Sequence, residues 1–173
     1  MTHRQSVTAF VCLGSNMGNT RANLAGAIHA ITELKGVTVE AQSRVFLTEP
    51  QEKREQEWFA NQVLRIACHA DISPEGLLTS LLNIESSMGR CRNGNAPEDR
   101  FGPRIIDIDL LLFGTCAMQT SLLTLPHPRM QQRAFVLVPL LDVAPELTFP
   151  GGKTLVQALN ALTYRVEEDR IWQ

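Results

Sequence analysis

The chain begins with a β-rich apolar run and then changes period. "SVTAFVCLGSN" is broken by Gly14, Asn16, Gly18 and Asn19, so a strand ending in a tight loop is expected. Leu24, Ile28, Ile31 and Leu34 then fall on one helix face, with Asn19 or Thr20 as the cap and Gly36 as the stop. "VTVEAQSRVFLT" alternates as a strand. "WFANQVLRIACHA" reads as another, with Phe59, Asn61 and Val63 on one side by period two. "SPEGLLTSLLNIESSMG" predicts a helix: Ser73 caps it, Pro74 suits its first turn, Gly89 follows its end, and Leu77, Leu78, Leu81, Leu82 and Met88 form its buried stripe. "RCRNGNAPEDRFGP" has no period and reads as a loop, "RIIDIDLLLF" as a strand. "LPHPRMQQRAFVLVPLL" starts as a rigid loop and turns apolar, and "KTLVQALNAL" is a short final helix.

The order strand, helix, two strands, helix, strand predicts an α+β fold of ferredoxin-like split βαβ type. It implies an antiparallel sheet with helices packed on one face and a C-terminal extension of about 60 residues. The 173 residues, 44% of them hydrophobic, suit one domain over 1–173. A formal net charge of -2 gives no general attraction for nucleic acid, so any anion site must be a local concentration of positive charge. No apolar run is long enough for a membrane span, and the first residues lack a secretory signal. Cys12, Cys68, Cys91 and Cys116 form no C-x-x-C pair, so a zinc cage is not expected; reduced thiols in a cytoplasmic protein are.

One segment departs from its apolar surroundings. In "GPRIIDIDLLLFG", period two places Ile106, Ile108, Leu110 and Leu112 on a core face and Ile105, Asp107, Asp109 and Leu111 on the other. The two carboxylates then point the same way, roughly 6.5 to 7 Å apart. A divalent cation beside them would turn their repulsion into attraction, and magnesium favours one or two carboxylates plus waters and phosphates. A wet face of an antiparallel sheet also accommodates such a pair without any metal.

Upstream, Arg90, Arg92, Arg100 and Arg104 crowd into one loop punctuated by Gly89, Gly94, Gly102, Pro97 and Pro103. Forked guanidinium hydrogen bonds suit phosphate. A polyphosphate held between magnesium and arginine is one reading; a solvated charged loop is the other. His127 lies between two prolines and can donate to a phosphate, with Arg129 and Arg133 nearby. Phe59 and Phe135 read singly as core residues. Asn61, beside Phe59, offers an amide able to read the edge of a flat heterocycle. Glu85 sits at the margin of its helix's apolar stripe. No P-loop and no nucleophile elbow is present.

In chain order, "GSNMGN", "T-x-P" at Thr48 to Pro50, "FAN" at 59 to 61, "IESSMGRCR", "RFGPRIIDIDLLLFG" and "LPHPRMQQRAFVL" resemble the 6-hydroxymethyl-7,8-dihydropterin pyrophosphokinases. These enzymes move the terminal pyrophosphate of ATP to the pterin hydroxymethyl oxygen and release AMP. The resemblance implies a single pyrophosphokinase domain with ATP as co-substrate. It implies that Asp107 and Asp109 bind two magnesium ions, that Arg90, Arg92 and Arg104 contact phosphates, and that Arg100 stands on the closing loop. His127 and Arg133 would serve the nucleotide phosphates; Glu85, Leu110 and Thr124 would lie at the adenosine end. Phe59 and Phe135 would sandwich the pterin, Asn61 would bond its edge, and main chain at Thr48, Glu49, Pro50 and Gln51 would complete the pocket. The partners expected are these two small molecules, with neither nucleic acid nor membrane, and a monomer. The segment "QEKREQEW" lacks the glycine usual in the family, and Leu122 replaces a basic residue of some members. Two other classes remain: an RNA-binding module of the same topology, which needs a basic, aromatic open sheet face, and an idle relative that binds ligands without turnover.

Overall fold

A computed structural model describes residues 6–50, 56–89 and 103–173. Its frame is the strand β1 (Ser6–Ser15), in which every residue from Ala9 onward is buried. A strand buried on both sides belongs at the centre of a sheet. It pairs antiparallel with the long strand β4 (Phe59–His69) on one edge and with β5 (Asp107–Phe113) on the other. The far edge of β4 is shared: β2 (Val37–Gln42) runs along Leu64–Cys68, and β3 (Phe46–Thr48) along Phe59–Asn61, both antiparallel. Beyond β3 come β9 (Arg170–Trp172) and β8 (Arg165–Glu167), giving the order β5-β1-β4-β3-β9-β8. A small separate ribbon joins β6 (Met118–Gln119) to β7 (Thr124–Leu125).

The first two expected helices form with the expected N-caps, the first closing at Glu33, short of the expected stop at Gly36. Asn19 Oδ1 accepts from the Ala22 N–H (3.0 Å) at the start of α1 (Thr20–Thr32), and Ser73 Oγ accepts from the Gly76 N–H (3.1 Å) at the start of α2 (Pro74–Ser87). Their buried residues Leu24, Ala27, Ile31, Leu77, Leu81 and Ile84 pack on Ala9, Val11, Leu13, Leu64 and Ile66 of the sheet. The final helix, α4 (Leu155–Asn160), carries a capping box between Thr154 and Gln157.

The expectation of helices on one face is corrected. β1 also presents Phe10 and Cys12 to its other side, where they meet Leu137, Leu140, Ala158 and Leu159 of α3 (Ala134–Val143) and α4. The run "AFVLVPLL" is apolar all round, and such a helix must be covered on every side. A sheet with apolar residues on both faces supplies the cover.

Three further differences are local. "VTVEAQSRVFLT" is two strands rather than one, because Ser43 half leaves the ladder: its N–H still donates to the Val63 carbonyl (2.9 Å), but its Oγ replaces its carbonyl in accepting from the Val63 N–H (2.9 Å), and the carbonyl accepts from Gln62 Nε2 (2.8 Å). In β5 the register slips opposite Phe10/Val11, so the core face is Ile106, Ile108 and Leu110, while Leu112 joins Leu111 on the α3 side. A bulge of this kind adds one residue and reverses the alternation beyond it. Finally, β9 pairs with β3 in parallel, so the sheet is mostly, not wholly, antiparallel. No helix among the described residues is long and apolar enough to cross a membrane.

Candidate active site

The strand registers bring the predicted residues into rows on the α3 face. Gly14 on β1 faces Asn61 on one side and Asp107 on the other; one step along, Cys12 faces Val63 and Asp109. Directly paired residues share a face, so an amide and a carboxylate flank a bare glycine across three strands. At about 4.8 Å per strand, Asn61 and Asp107 stand roughly 10 Å apart. Gly14 is needed here for its missing side chain: a Cβ would lie 2.9 Å from Asn61 Oδ1. Asn61 is buried, and its Nδ2 donates to Thr48 Oγ1 (2.7 Å), with Thr48 also buried. Thr48 in turn pairs with Phe59. Phe59 and Phe135 are both half-buried, so neither ring is the plain core residue that its type suggests.

The acidic strand is held from both sides. Arg104 Nη1 donates to Asp107 Oδ2. Arg104 is itself fixed by Asn16: its N–H donates to Asn16 Oδ1 (2.7 Å), and the Asn16 N–H donates to the Arg104 carbonyl (3.0 Å). Asn16 Nδ2 also donates to Gln56 Oε1 (3.2 Å) and to the Glu57 carbonyl (3.3 Å). It thereby ties the β1 loop to the approaches of β4 and β5. Sequence reading saw Asn16 only as a loop former, because its partners lie far away along the chain.

Glu85 is buried at 1% exposure, and its Oε1 accepts from the Ile108 N–H (2.7 Å), the residue between the two aspartates. β5 is the sheet edge, so this N–H has no strand partner, and α2 supplies one. Burial pushes the Asp109 carboxyl up from 3.8 to about 7, with Asp107 and then Glu85 adding to the rise and Arg133 and Arg104 opposing it. The Cys12 thiol is pushed up as well, by burial first and then by Asp109 and Asp107.

His127 is seated beside β5 by its N–H, which donates to the Leu111 carbonyl (2.9 Å). Its Nδ1 accepts from the Arg129 N–H (3.3 Å). Burial lowers its pKa from 6.5 to about 4, helped by Arg133 and Arg129. The ring is therefore neutral, with Nε2–H available to donate. Arg133 stands at the start of α3 with its guanidinium 5.3 Å from the Phe135 ring centroid. Burial and Arg129 lower its pKa, while Asp109, Cys12 and Asp107 raise it. The two carboxylates, the imidazole, the arginine and the aromatic ring thus share one neighbourhood.

Other predicted residues fall differently. The Leu110 side chain lies in the core beneath α1 and α2, so only its main chain can face a ligand. Thr124 is half-buried on β7. Glu49 Oε1 accepts from the Gln173 N–H (3.2 Å), and Pro50 is buried. Arg90, Arg92, Arg100 and Gln51 lie outside the described residues. Among the described residues no group of three or more His, Cys, Asp or Glu side chains is arranged to hold a metal ion. Asp107 and Asp109 fit an ion that takes two carboxylates and completes its shell from water and phosphate. The open sheet face that an RNA-binding module needs is covered by α3 and α4.

Residues 10–145 match the family model described as 7,8-dihydro-6-hydroxymethylpterin-pyrophosphokinase (HPPK). The chain belongs to the HPPK family. It is 41% identical to the 2-amino-4-hydroxy-6-hydroxymethyldihydropteridine pyrophosphokinase of Methylorubrum extorquens, over 89% of this chain and 92% of that one. The protein of the same name from Pseudomonas aeruginosa is 37% identical over 90% and 91%. Among solved structures, an HPPK-DHPS of Plasmodium falciparum with pteroate matches 99% of the chain at a TM-score of 0.68 and 15% identity. The chain spans 49% of that longer protein, and the likeness speaks for the fold. The HPPK match ends before α4 and the β8–β9 hairpin, which sequence reading did not foresee as strands.

Proposed function

We propose that the row Asp107–Gly14–Asn61 is the axis along which this HPPK aligns its substrates, and that single observation carries the site assignment. The activity is that of the family: transfer of pyrophosphate from ATP to 6-hydroxymethyl-7,8-dihydropterin in folate biosynthesis. Asn61 bonds the pterin edge, Phe59 and Phe135 hold its faces, and main chain from Thr48 to Gln51 closes the pocket. The distance of roughly 10 Å from amide to carboxylate matches a bicyclic ring with its hydroxymethyl arm pointing at Asp107.

Asp107 and Asp109 would hold two magnesium ions, which when bound would supply the charge that neutralises the triphosphate and lowers the pKa of the hydroxyl. That pairing explains why a carboxyl pushed toward neutrality is retained: a dication offsets both burial and repulsion. Arg104, His127 and Arg133 take phosphate oxygens, joined by Arg90, Arg92 and Arg100. His127 does so as a neutral donor. Glu85 holds the strand, Leu110 offers main chain, and Thr124 lies at the adenosine end. The chemistry needs alignment and charge neutralisation rather than a nucleophilic side chain. The strand order β5-β1-β4-β2, with α1 and α2 packed on one face, supports a ferredoxin-like split βαβ core with the remainder as an extension; a single domain acting as a monomer in the cytoplasm completes the proposal.

AMP release measured with and without the pterin and magnesium tests this reading. Omitting either should abolish it, and Asp107→Ala should lower kcat by about 10³-fold or more, as loss of a transition-state charge clamp does. Near-normal turnover in that variant refutes the metal assignment.

A further inference from the structure

Gln173 lies outside the family match, yet its hydrogen bonds reach two segments around the pterin subsite. Its Oε1 accepts from the Ala134 N–H (2.7 Å), its Nε2 donates to the Gln132 carbonyl (2.7 Å), and its own N–H donates to Glu49 Oε1 (3.2 Å). The first bond matters most. Arg133 occupies the cap position of α3 but makes no side-chain capping bond. A guanidinium has only donors and cannot cap an N–H, so this orphan N–H at the helix start is satisfied by Gln173 Oε1.

The elements joined are those that carry the two aromatic rings. Phe59 pairs with Thr48, and Thr48 pairs in parallel with Ile171, two residues before Gln173. Phe135 follows Ala134 directly. The path from one ring to the other therefore runs Phe59, Thr48, β9, Gln173, Ala134, Phe135. The hairpin is seated by the Leu47 N–H donating to the Asp169 carbonyl (2.7 Å) and by Arg44, which reaches both Asp142 and Asp169 at 3.1 Å. It also builds an aromatic edge: Trp172 meets Trp58 in a T-shaped pair at 5.5 Å, with Arg165 4.2 Å above the Trp172 ring.

We propose that Gln173 is a positioning residue for pterin binding: it sets the gap between the Thr48–Glu49 main chain and Phe135, and the β8–β9 hairpin is the outer wall of that subsite. The proposal rests on the pterin slot assigned above. A flat ligand between two rings is sensitive to their separation, whereas a nucleotide held at β5 is not.

The test compares wild type with Gln173→Met, which keeps length and removes the side-chain hydrogen bonds to Ala134 and Gln132, and Gln173→Glu, which keeps the acceptor for Ala134. Loss of two hydrogen bonds should raise the pterin KM about tenfold in Gln173→Met, with kcat and the ATP KM within about twofold. Gln173→Glu should recover part of the loss. A lower kcat with every KM unchanged marks a merely structural role and overturns the proposal. Phe135→Ala separates the layers. If it weakens pterin and Gln173→Met does not, the proposal falls and the slot stands. If Phe135→Ala leaves the pterin KM unchanged, the slot itself is wrong, and the proposal falls with it.

Discussion

Adding one methyl group at Gly14 should disable pterin binding while leaving the fold intact. The Cβ of Gly14→Ala would sit 2.9 Å from Asn61 Oδ1, closer than side-chain carbons approach oxygen in real structures. Gly14 is not in the left-handed region, so alanine brings no backbone strain. In a strand it even removes some unfolded-state entropy, about 0.4–1 kcal/mol. The strain falls instead on the Asn61 amide, which must turn or retreat. Retreat breaks its buried bond to Thr48 Oγ1, worth about 1 kcal/mol net, and misplaces the amide proposed to bond the pterin. Together these should weaken pterin by about 1–3 kcal/mol, or roughly 5- to 150-fold in Kd. Calorimetric titration of the pterin, with magnesium and a non-hydrolysable ATP analogue present, reads this directly; thermal unfolding of the free protein should move by only a few degrees. The loss should be largely absent when Gly14→Ala is added to Asn61→Ala, since neighbours that act through one contact are not additive. An unchanged Kd in Gly14→Ala, with Asn61→Ala clearly weakened, refutes the reasoning.

Three more predictions follow from charge and hydrogen bonding. The folded-state pKa of Asp109 is raised, so in metal-free protein its contribution to stability is fully present below about 4 and is lost as pH rises through about 7. The melting temperature of Asp109→Asn relative to wild type should accordingly climb across that window, and added magnesium should reverse the ranking at pH 7; a difference flat in pH would contradict the assignment. Because the His127 pKa lies near 4, nitrogen NMR of the ligand-free protein should show a neutral ring protonated on Nε2 at pH 5.5, and an imidazolium there would be incompatible with its buried, arginine-flanked seat. Asn16→Ala should destabilise the protein by about 1–3 kcal/mol in chemical denaturation and raise the ATP KM, since Arg104 loses its anchor; wild-type values for both would deny Asn16 its positioning role.

The helices of the first layer were legible because their signals are local. Asn19, Ser73, Pro74 and Gly89 announce α1 and α2 within a few residues of where they act, and the caps formed as expected. The acidic pair was legible for a similar reason, since alternation alone puts Asp107 and Asp109 on one face. Alternation misled where the ladder itself changed. The bulge opposite Phe10/Val11 sends Leu112 to the other side, and Ser43 splits one apparent strand into two. Neither event leaves a mark in the pattern of apolar residues.

The α3 face shows why a period-two reading stops short at a site. Along β1, Phe10 and Cys12 point to the same side as Gly14, so one face passes from apolar core to the Asn61–Gly14–Asp107 row within a few residues. The sequence presents that face as apolar residues followed by a glycine, which looks like the end of a strand rather than the middle of a polar row. What makes the row is the register: Asn61 from β4 and Asp107 from β5 arrive on either side of the one position without a side chain. Asn16 and Gln173 were missed for the same reason. An amide can satisfy partners tens of residues away, and its type says nothing about which. Their roles emerge only when the sheet has brought Arg104, Glu49 and Ala134 within about 3 Å of them.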